Sequence, residues 1–270
     1  MKRKFSFVKF FIYLSAILTF GSLIFIVGHV LLRGVGHLKP SLFAWKFTTE
    51  NVSMLPSIIN TLQIIALTLL VSVPLGVFSA IYMVEYARPD NKFIKFVRLN
   101  TETLQGIPSI VFGLFGMLFF GQVLGLGFSI LSGLLTMAMM VLPLIIRATE
   151  EALMAVRMTY REASFGLGAK KLRTIFNVVL PSAMNGIISG IILAIGRVFG
   201  ETAALLYTAG TGLEIAKATD SGRSLAIHMY LLQAEALHIN EAYATAFVLI
   251  VVVLIINAIS GLLARKIGKE

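Results

Sequence analysis

Apolar positions along this chain come in long unbroken runs, not in the stripe of a soluble helix or the alternation of a half-buried strand. Six runs stand out, at about 7–32, 57–84, 108–125, 129–146, 186–209 and 242–263. A helix that crosses a bilayer needs roughly 20 mainly apolar residues, and each run approaches or exceeds that length. The connections between them are short except over 34–56, 147–185 and 210–241. The pattern predicts an all-α, polytopic membrane protein with six transmembrane helices in one domain over 1–270. An N-terminal anchor helix and outer loop fill 1–56, and a core follows over 57–263.

Composition agrees. Of 270 residues 57% are hydrophobic and 13% charged, with a mean hydropathy of +0.90, too few polar groups to cover a soluble domain. Lys2, Arg3 and Lys4 precede the first run in the manner of a secretory signal. That run is too long for a signal core and no small-x-small cleavage site precedes Arg33, so an uncleaved anchor is expected. The chain has no Cys, which excludes disulfides and thiolate chemistry.

The net charge of +10 suggests an anionic partner until its distribution is examined. With the N-terminus placed in the cytoplasm, 17 Lys and Arg fall on the inner side, in four clusters around Lys2, Arg88, Arg147 to Arg173 and Arg265. Only Arg33, Lys39, Lys46, Lys217 and Arg223 fall outside. A positive-inside bias of this size predicts both termini in the cytoplasm and accounts for the basic charge without nucleic acid. One cation, Arg197, is left inside an apolar run.

The polar connection 147–185 has internal order. Leu172, Ile175, Phe176, Val179 and Leu180 fall on one helical face, opposite Lys170, Lys171, Arg173, Thr174 and Asn177. Upstream, Arg161 to Phe165 reads as a short helix, and Gly166 and Gly168 allow a sharp break between the two. By itself such a stretch reads equally as an interfacial helix lying on the bilayer or as a docking element. The chain contains no G-x-x-x-x-G-K-[ST], H-E-x-x-H or G-x-S-x-G, and His29, His37, His228 and His238 lack ligand spacing. An enzyme with its own nucleotide or metal site is therefore not expected.

Arg161-Glu162-Ala163-Ser164-Phe165-Gly166-Leu167-Gly168, with Val178-Val179-Leu180-Pro181 after it, resembles the E-A-A-x3-G-x9-I-x-L-P loop of type I ABC importer permeases, with Ser164 for the second Ala and Val178 for Ile. Three further stretches resemble the A-type (PstA) permeases of phosphate importers. They are Gly196-Arg197-Val198-Phe199-Gly200-Glu201-Thr202-Ala203, Glu102-Thr103-Leu104-Gln105-Gly106-Ile107-Pro108-Ser109, and Leu142-Pro143-Leu144-Ile145-Ile146-Arg147-Ala148-Thr149-Glu150. The matches run from about 102 to 206. Before the second span that family commonly has Gly-Gly-Ile where this chain has Ser53-Met54-Leu55-Pro56.

The resemblance implies a permease subunit in a bacterial cytoplasmic membrane that moves inorganic phosphate with a second, C-type permease. Two ATPase subunits, which carry the ATP and Mg, would bind a coupling loop over 157–181 through Glu162, Ala163, Gly168, Leu180 and Pro181. An extracytoplasmic phosphate-binding protein would deliver the anion. The chain itself is expected to hold no cofactor. A molybdate or sulfate permease, or a secondary anion transporter, remains the alternative.

Arg197 is the residue type such a path needs. Counted from Gly186 it lies ~16 Å into the core, near the midplane, where a charge costs about 2.5 to 3.5 kcal/mol. A planar guanidinium suits bidentate contact with phosphate oxygens. Glu201, one helical turn on and on the same face, would accept a hydrogen bond from a phosphate hydroxyl; the alternative is a mutual ion pair that only neutralises both. Arg147 and Glu150, at the cytoplasmic end of the fourth run, are second candidates for the path, against simple placement at the interface. Gly186, Gly190, Gly196 and Gly200 form small-xxx-small stripes that predict close packing on the same helix.

Overall fold

A computed structural model describes the backbone of residues 2–88 and 90–267, and the side chains of 7–88, 90–259, 261 and 262. The side chains of Lys2, Arg3, Lys4, Arg265, Lys266 and Lys269, counted above for charge, lie outside the described residues. All regular structure among the described residues is helical.

The N-terminal helix α1 (Lys2–Val35) packs mainly against the last, α11 (Ile239–Ile267), along a crossing where a Cβ on Gly34 would meet the Tyr243 carbonyl. A 3-10 turn at Pro40–Phe43 leads to α2 (Leu55–Ile81), which ends in a π turn at Tyr82–Tyr86. Then come α3 (Lys92–Gln105), α4 (Ser109–Gly116) with a π turn at Met117–Val123, and the central helix α5 (Ile130–Ala155). After α5 the chain forms α6 (Met158–Gly166) and α7 (Lys171–Thr174). A π turn at Ile175–Val179 carries α7 into α8 (Leu180–Phe199), which is followed by the short α9 (Ala203–Thr208) and α10 (Leu225–Ala234).

Five helical stretches are long and apolar enough to cross a membrane: Phe7–Val35, Leu55–Tyr86, Ile130–Ala155, Lys171–Phe199 and Ile239–Ile259. A sixth exists only if the bent pair Lys92–Gln105 and Ser109–Val123 is one span. Its halves meet at 104° because Pro108 disfavours a helical Ile107 and has no N–H to continue α3. The half after the break rises only ~22 Å, short of a ~30 Å hydrocarbon core. The third run is thus a shorter helix than its apolar residues suggest.

The fifth run needs a larger correction. The predicted span 186–209 is instead a continuous stretch from Lys171 to Phe199, then a break at Gly200–Thr202, then α9. The amphipathic segment after Gly168 is therefore the start of a spanning helix and not a separate interfacial one. Its apolar face divides. Ile175 and Val179 join Ala80, Ile81, Leu153, Val156, Ala183 and Ile187 in a buried cluster, while Leu172 and Phe176 stay exposed.

Helix α5 is the hub, packed on α2, α3, α4, α8 and α9. Its first N–H groups, which have no partner within the helix, are met from outside: Ile130 N donates to Asp220 O at 3.0 Å, Leu131 N to Ala218 O at 2.8 Å, and Ser132 N to the Ser129 hydroxyl at 3.1 Å. The 210–224 segment thereby seals the N-terminal end of the hub. Buried Asn60 pins that segment to α2, donating to Glu214 O at 2.9 Å and accepting from Ala216 N at 2.9 Å. Nearby, Arg223 stacks over the Phe47 ring at 4.5 Å, and burial pushes its pKa down to about 10. Burial, with the Arg223 charge, pushes His228 down to about 3, so the imidazole stays neutral at physiological pH.

The glycine stripes divide as the helix does. A Cβ on Gly186 would reach within 2.5 Å of Ala152 Cβ, and one on Gly190 would overlap Ala148 Cβ, so these two bring α8 onto α5 as predicted. A Cβ on Gly196 would meet nothing within 4 Å beyond its own helix backbone. Gly190→Leu should accordingly destabilise the protein by about 1 to 3 kcal/mol through overpacking, read as a lower thermal midpoint in detergent. Gly196→Ala should leave that midpoint unchanged in the isolated subunit.

Candidate functional site: a docking helix and a charged helix break

Helix α6 stands at the end of α5 as a hairpin element with one bound face and one free face. Its C-terminus is a left-handed cap: Gly168 sits at φ +83°, Gly168 N donates to Phe165 O at 2.9 Å, and Ala169 N donates to Ser164 O at 3.1 Å. These two bonds satisfy carbonyls that the helix end leaves open. The chain then reverses into α7, where the Ser164 and Thr174 hydroxyls lie 2.8 Å apart and tie the two helices together. Ser164, the residue that departs from the E-A-A pattern, thus makes a bond that Ala cannot.

The free face carries Glu162, Ala163, Phe165 at 44% exposure and Leu167 at 90%. Met158, Tyr160 and Leu172 add further exposed apolar surface beside them. Of the predicted coupling residues, Glu162, Ala163 and Gly168 are on this surface; half-buried Leu180 and exposed Pro181 are the first two residues of α8. The bound face rests on Arg161, which is only 8% exposed. Its guanidinium reaches Glu85 Oε1 through Nη2 at 2.8 Å and Nε at 3.1 Å. It also donates to the carbonyls of Val156 at 2.7 Å and Leu153 at 3.0 Å. Sequence reasoning missed this contact. The available signal was that Glu85 is the only charged residue between 57 and 86, a lone acid at an end where bases dominate.

The second predicted group lies at the break after α8. Arg197 is in the last turn of α8, where a cation is favoured by the helix dipole. It lines an open groove of about 630 Å³ with Leu144, Ser189, Ile192, Leu193, Gly196 and Asn257. Leu144 is the fifteenth of the 26 residues of α5, so the groove opens near the middle of the hub helix. Among the described residues no hydrogen bond or ion pair engages the Arg197 side chain.

Glu201 does not lie on the same helical face, because α8 has ended. Gly200 N closes the helix on Gly196 O at 3.2 Å, and Glu201 Oε1 instead accepts from Ala204 N at 3.1 Å, capping the start of α9. The expected i,i+4 geometry was an extrapolation of a helix through a glycine that stops it. Nor do Arg197 and Glu201 form an ion pair with each other.

Arg147 and Glu150 are brought into a different network. Arg147 donates to Glu151 Oε1 at 2.6 Å and to Glu102 Oε1 at 2.8 Å, while Arg98 Nε lies 2.7 Å from Glu150 Oε1. Both pairings with Glu102 and Arg98 cross from α5 to α3. Gln105 Nε2 adds a bond to Pro143 O at 3.2 Å. No bond joins this cluster to Arg197 or Glu201 among the described residues. It holds the bent α3 against the hub.

An all-helical bundle around one central spanning helix, with an exposed two-helix hairpin at one end and an unneutralised cation at a mid-helix groove, defines a membrane-embedded transport subunit. Residues 72–269 match the family described as binding-protein-dependent transport system inner membrane component, and the chain belongs to that family. It is similar to the probable ABC transporter permease YqgI of Bacillus subtilis, 34% identical over 92% of this chain and 90% of that protein. It is also 35% identical to the phosphate transport system permease PstA 1 of Mycobacterium tuberculosis, over 71% of this chain and 64% of that one. In fold it resembles a chain of a bacterial alginate ABC transporter in complex with an alginate pentasaccharide-bound periplasmic protein, with a TM-score of 0.73, 17% identity and coverage of 98% of this chain and 96% of that one. A chain of the methionine transporter MetNI in an inward-facing form gives a TM-score of 0.58 at 18% identity, over 89% of this chain and 97% of that one.

Proposed function

We propose that this chain is the permease subunit of an ATP-driven importer of inorganic phosphate. A second permease pairs with it, two ATPase subunits supply ATP and Mg, and an extracytoplasmic phosphate-binding protein delivers the anion. The observation that carries this reading is Arg197, a guanidinium left without an internal partner in a groove open at mid-helix, in a chain whose named relatives include phosphate permeases. Because the span begins at Lys171 and not at Gly186, the depth of Arg197 is set by Leu144 beside it at the middle of α5, where a charge is costly to keep without a role. Its planar fork matches two oxygens of a tetrahedral anion. Glu201 spends one oxygen capping α9 and keeps the other for a phosphate hydroxyl, which sulfate lacks.

Gly196 lies with Ser189 and Leu193 on a face of α8 that the described residues leave exposed beside the groove, which suits a path shared with the second permease. The free face of α6 suits the ATPase: when the ATPase subunits close on ATP, α6 is drawn with them and the spans rock from inward-open to outward-open. Arg147 and Glu150 act at the α3–α5 contact and reach the anion only if that contact opens during transport.

The test is uptake by the reconstituted complex. Labelled inorganic phosphate should accumulate with ATP, and unlabelled phosphate should compete far better than sulfate or molybdate. Accumulation of sulfate or molybdate in its place identifies the other oxyanion permease, and accumulation that needs no ATPase identifies a secondary transporter.

Orientation has its own test, resting on the 17 to 5 division of basic residues. In this Cys-free chain, Cys introduced at exposed Ser41 or Thr219 should react with a membrane-impermeant thiol reagent in intact cells. Cys at exposed Lys92 or Lys170 should react only after lysis. The reverse pattern would place α6 on the wrong side for an ATPase.

A further inference from the structure

We infer that Arg161 and Glu85 form the mechanical joint through which displacement of α6 reaches the membrane spans; this rests on the importer reading above. Both side chains are 10% exposed, and the bond spans 76 residues of sequence. Its partners fix what it joins. Glu85 belongs to the π turn that ends the second span, Leu153 and Val156 are at the C-terminus of α5, and Arg161 itself is in the first half of α6. Three elements therefore meet on one guanidinium.

Each bond has a physical reason. The last carbonyls of α5 lack the N–H partner four residues on that the helix interior supplies, Leu153 O receiving only the Val156 N–H at 3.3 Å from within the chain's own turn, and a cation is favoured at that end. Arg supplies planar donors in several directions at once, so it can cap α5 and hold Glu85 together, which an ammonium cannot. The π turn moves the end of the second span off the α-helical register at the residues that present Glu85; Ala87 N bonds Tyr82 O at 3.0 Å, one residue further back than in an α-helix. Immediately beneath lie Ile81, Leu153, Val156, Ile175 and Val179 of the cytoplasmic core cluster, contributed by the second, fourth and fifth spans.

A buried ion pair is poor evidence of stability in itself, since its desolvation offsets much of its attraction. Its value here is stiffness. Between α6 and the spans the chain passes through the short 156–157 turn and the 167–170 turn, and α6 packs on α7 and the π turn Ile175–Val179 with the Ser164–Thr174 bond between them; this joint is the buried ion pair that ties α6 to the second span. Without the joint, α6 can tilt under load on a turn at each end, and the stroke is lost before it reaches the second span. Arg161 and Glu85 are positioning residues, touching neither the anion nor the free face of α6.

The experiment uses the complete reconstituted complex and the double variant Glu85→Cys with Arg161→Cys. At equal assembly with the ATPase, uptake of labelled inorganic phosphate per ATP hydrolysed should fall about tenfold, in the range expected when a coupling element is removed. A short bifunctional thiol cross-linker cleavable by reductant should then restore uptake per ATP, and reduction should abolish it again. Arg161→Lys, which keeps the charge but not the fork, should be intermediate.

A purely structural role predicts something else: less assembled complex, with uptake per ATP unchanged in what remains, and no rescue by the cross-link. That result overturns the joint. A wild-type complex that never retains an ATPase overturns the importer reading beneath it, and the two failures are told apart by the wild-type control.

Discussion

Gly168→Val should leave the protein in the membrane and its spans folded, yet lower ATP-driven uptake by about tenfold or more. The cause is backbone conformation alone. Gly168 is held at φ +83° by the cap of α6, and nothing lies within 4 Å of where a Cβ would sit, so no side-chain clash complicates the reading. For an L-residue the left-handed region costs roughly 1 to 2 kcal/mol, and a β-branched side chain is the worst fitted to it. That energy is comparable with the two hydrogen bonds from Gly168 N and Ala169 N that close the helix. The cap should therefore open and α6 lose its fixed angle to α7.

A graded series separates this from a general defect. Gly168→Asn, the non-glycine residue that tolerates this conformation best, should retain most uptake, Gly168→Ala should fall between, and Gly168→Val should be the lowest. Glu162→Lys provides the orthogonal case: it changes the free face of α6 without touching its backbone, and should lower retention of the ATPase itself. If Val and Asn transport equally well at equal expression, the cap has no mechanical part to play.

How much of this was legible in the sequence depends on which signal each feature leaves. Apolar runs located the spans because the bilayer demands length and polarity at once, and no other solvent does. The reversal at Gly168 was legible because only a residue without Cβ occupies that conformation cheaply. Four features were not. Pro108 and Gly200 each end a helix inside an apolar run, and a hydropathy pattern is blind to backbone hydrogen bonding. The fifth span was placed too late because Lys170, Lys171 and Arg173 made its first turns look like a loop, although one apolar face was already turned to the core through Ile175 and Val179. The Arg161–Glu85 bond depends on a π turn that shifts Glu85 by a fraction of a turn, and no sequence period announces that. Arg147 and Glu150 stand out at the end of the fourth run through the resemblance, but their partners Glu102 and Arg98 are on α3, whose 104° turn away from α4 brings them back to α5.

Arg197→Gln should abolish phosphate uptake while leaving assembly with the second permease and the ATPase intact. The break after α8 makes this single variant cleaner than any that includes Glu201. Because Glu201 caps α9, its removal costs about 0.5 to 2 kcal/mol of local stability whatever else it does, and a double variant would confound the two effects. Arg197 has no such structural bond among the described residues, so replacing it removes a burial cost and should hold or raise the thermal midpoint. Stability and function are thus expected to move in opposite directions. Arg197→Lys should also lose most uptake, since a point charge does not reproduce two parallel donors. Glu201→Gln, which keeps an acceptor for Ala204 N but cannot ionise, should retain the fold of α9 and show its loss chiefly in discrimination of phosphate from sulfate. An Arg197→Gln complex that imports phosphate at the wild-type rate would return the guanidinium to a lipid-facing or partner-facing ornament of the fold and leave the anion path elsewhere.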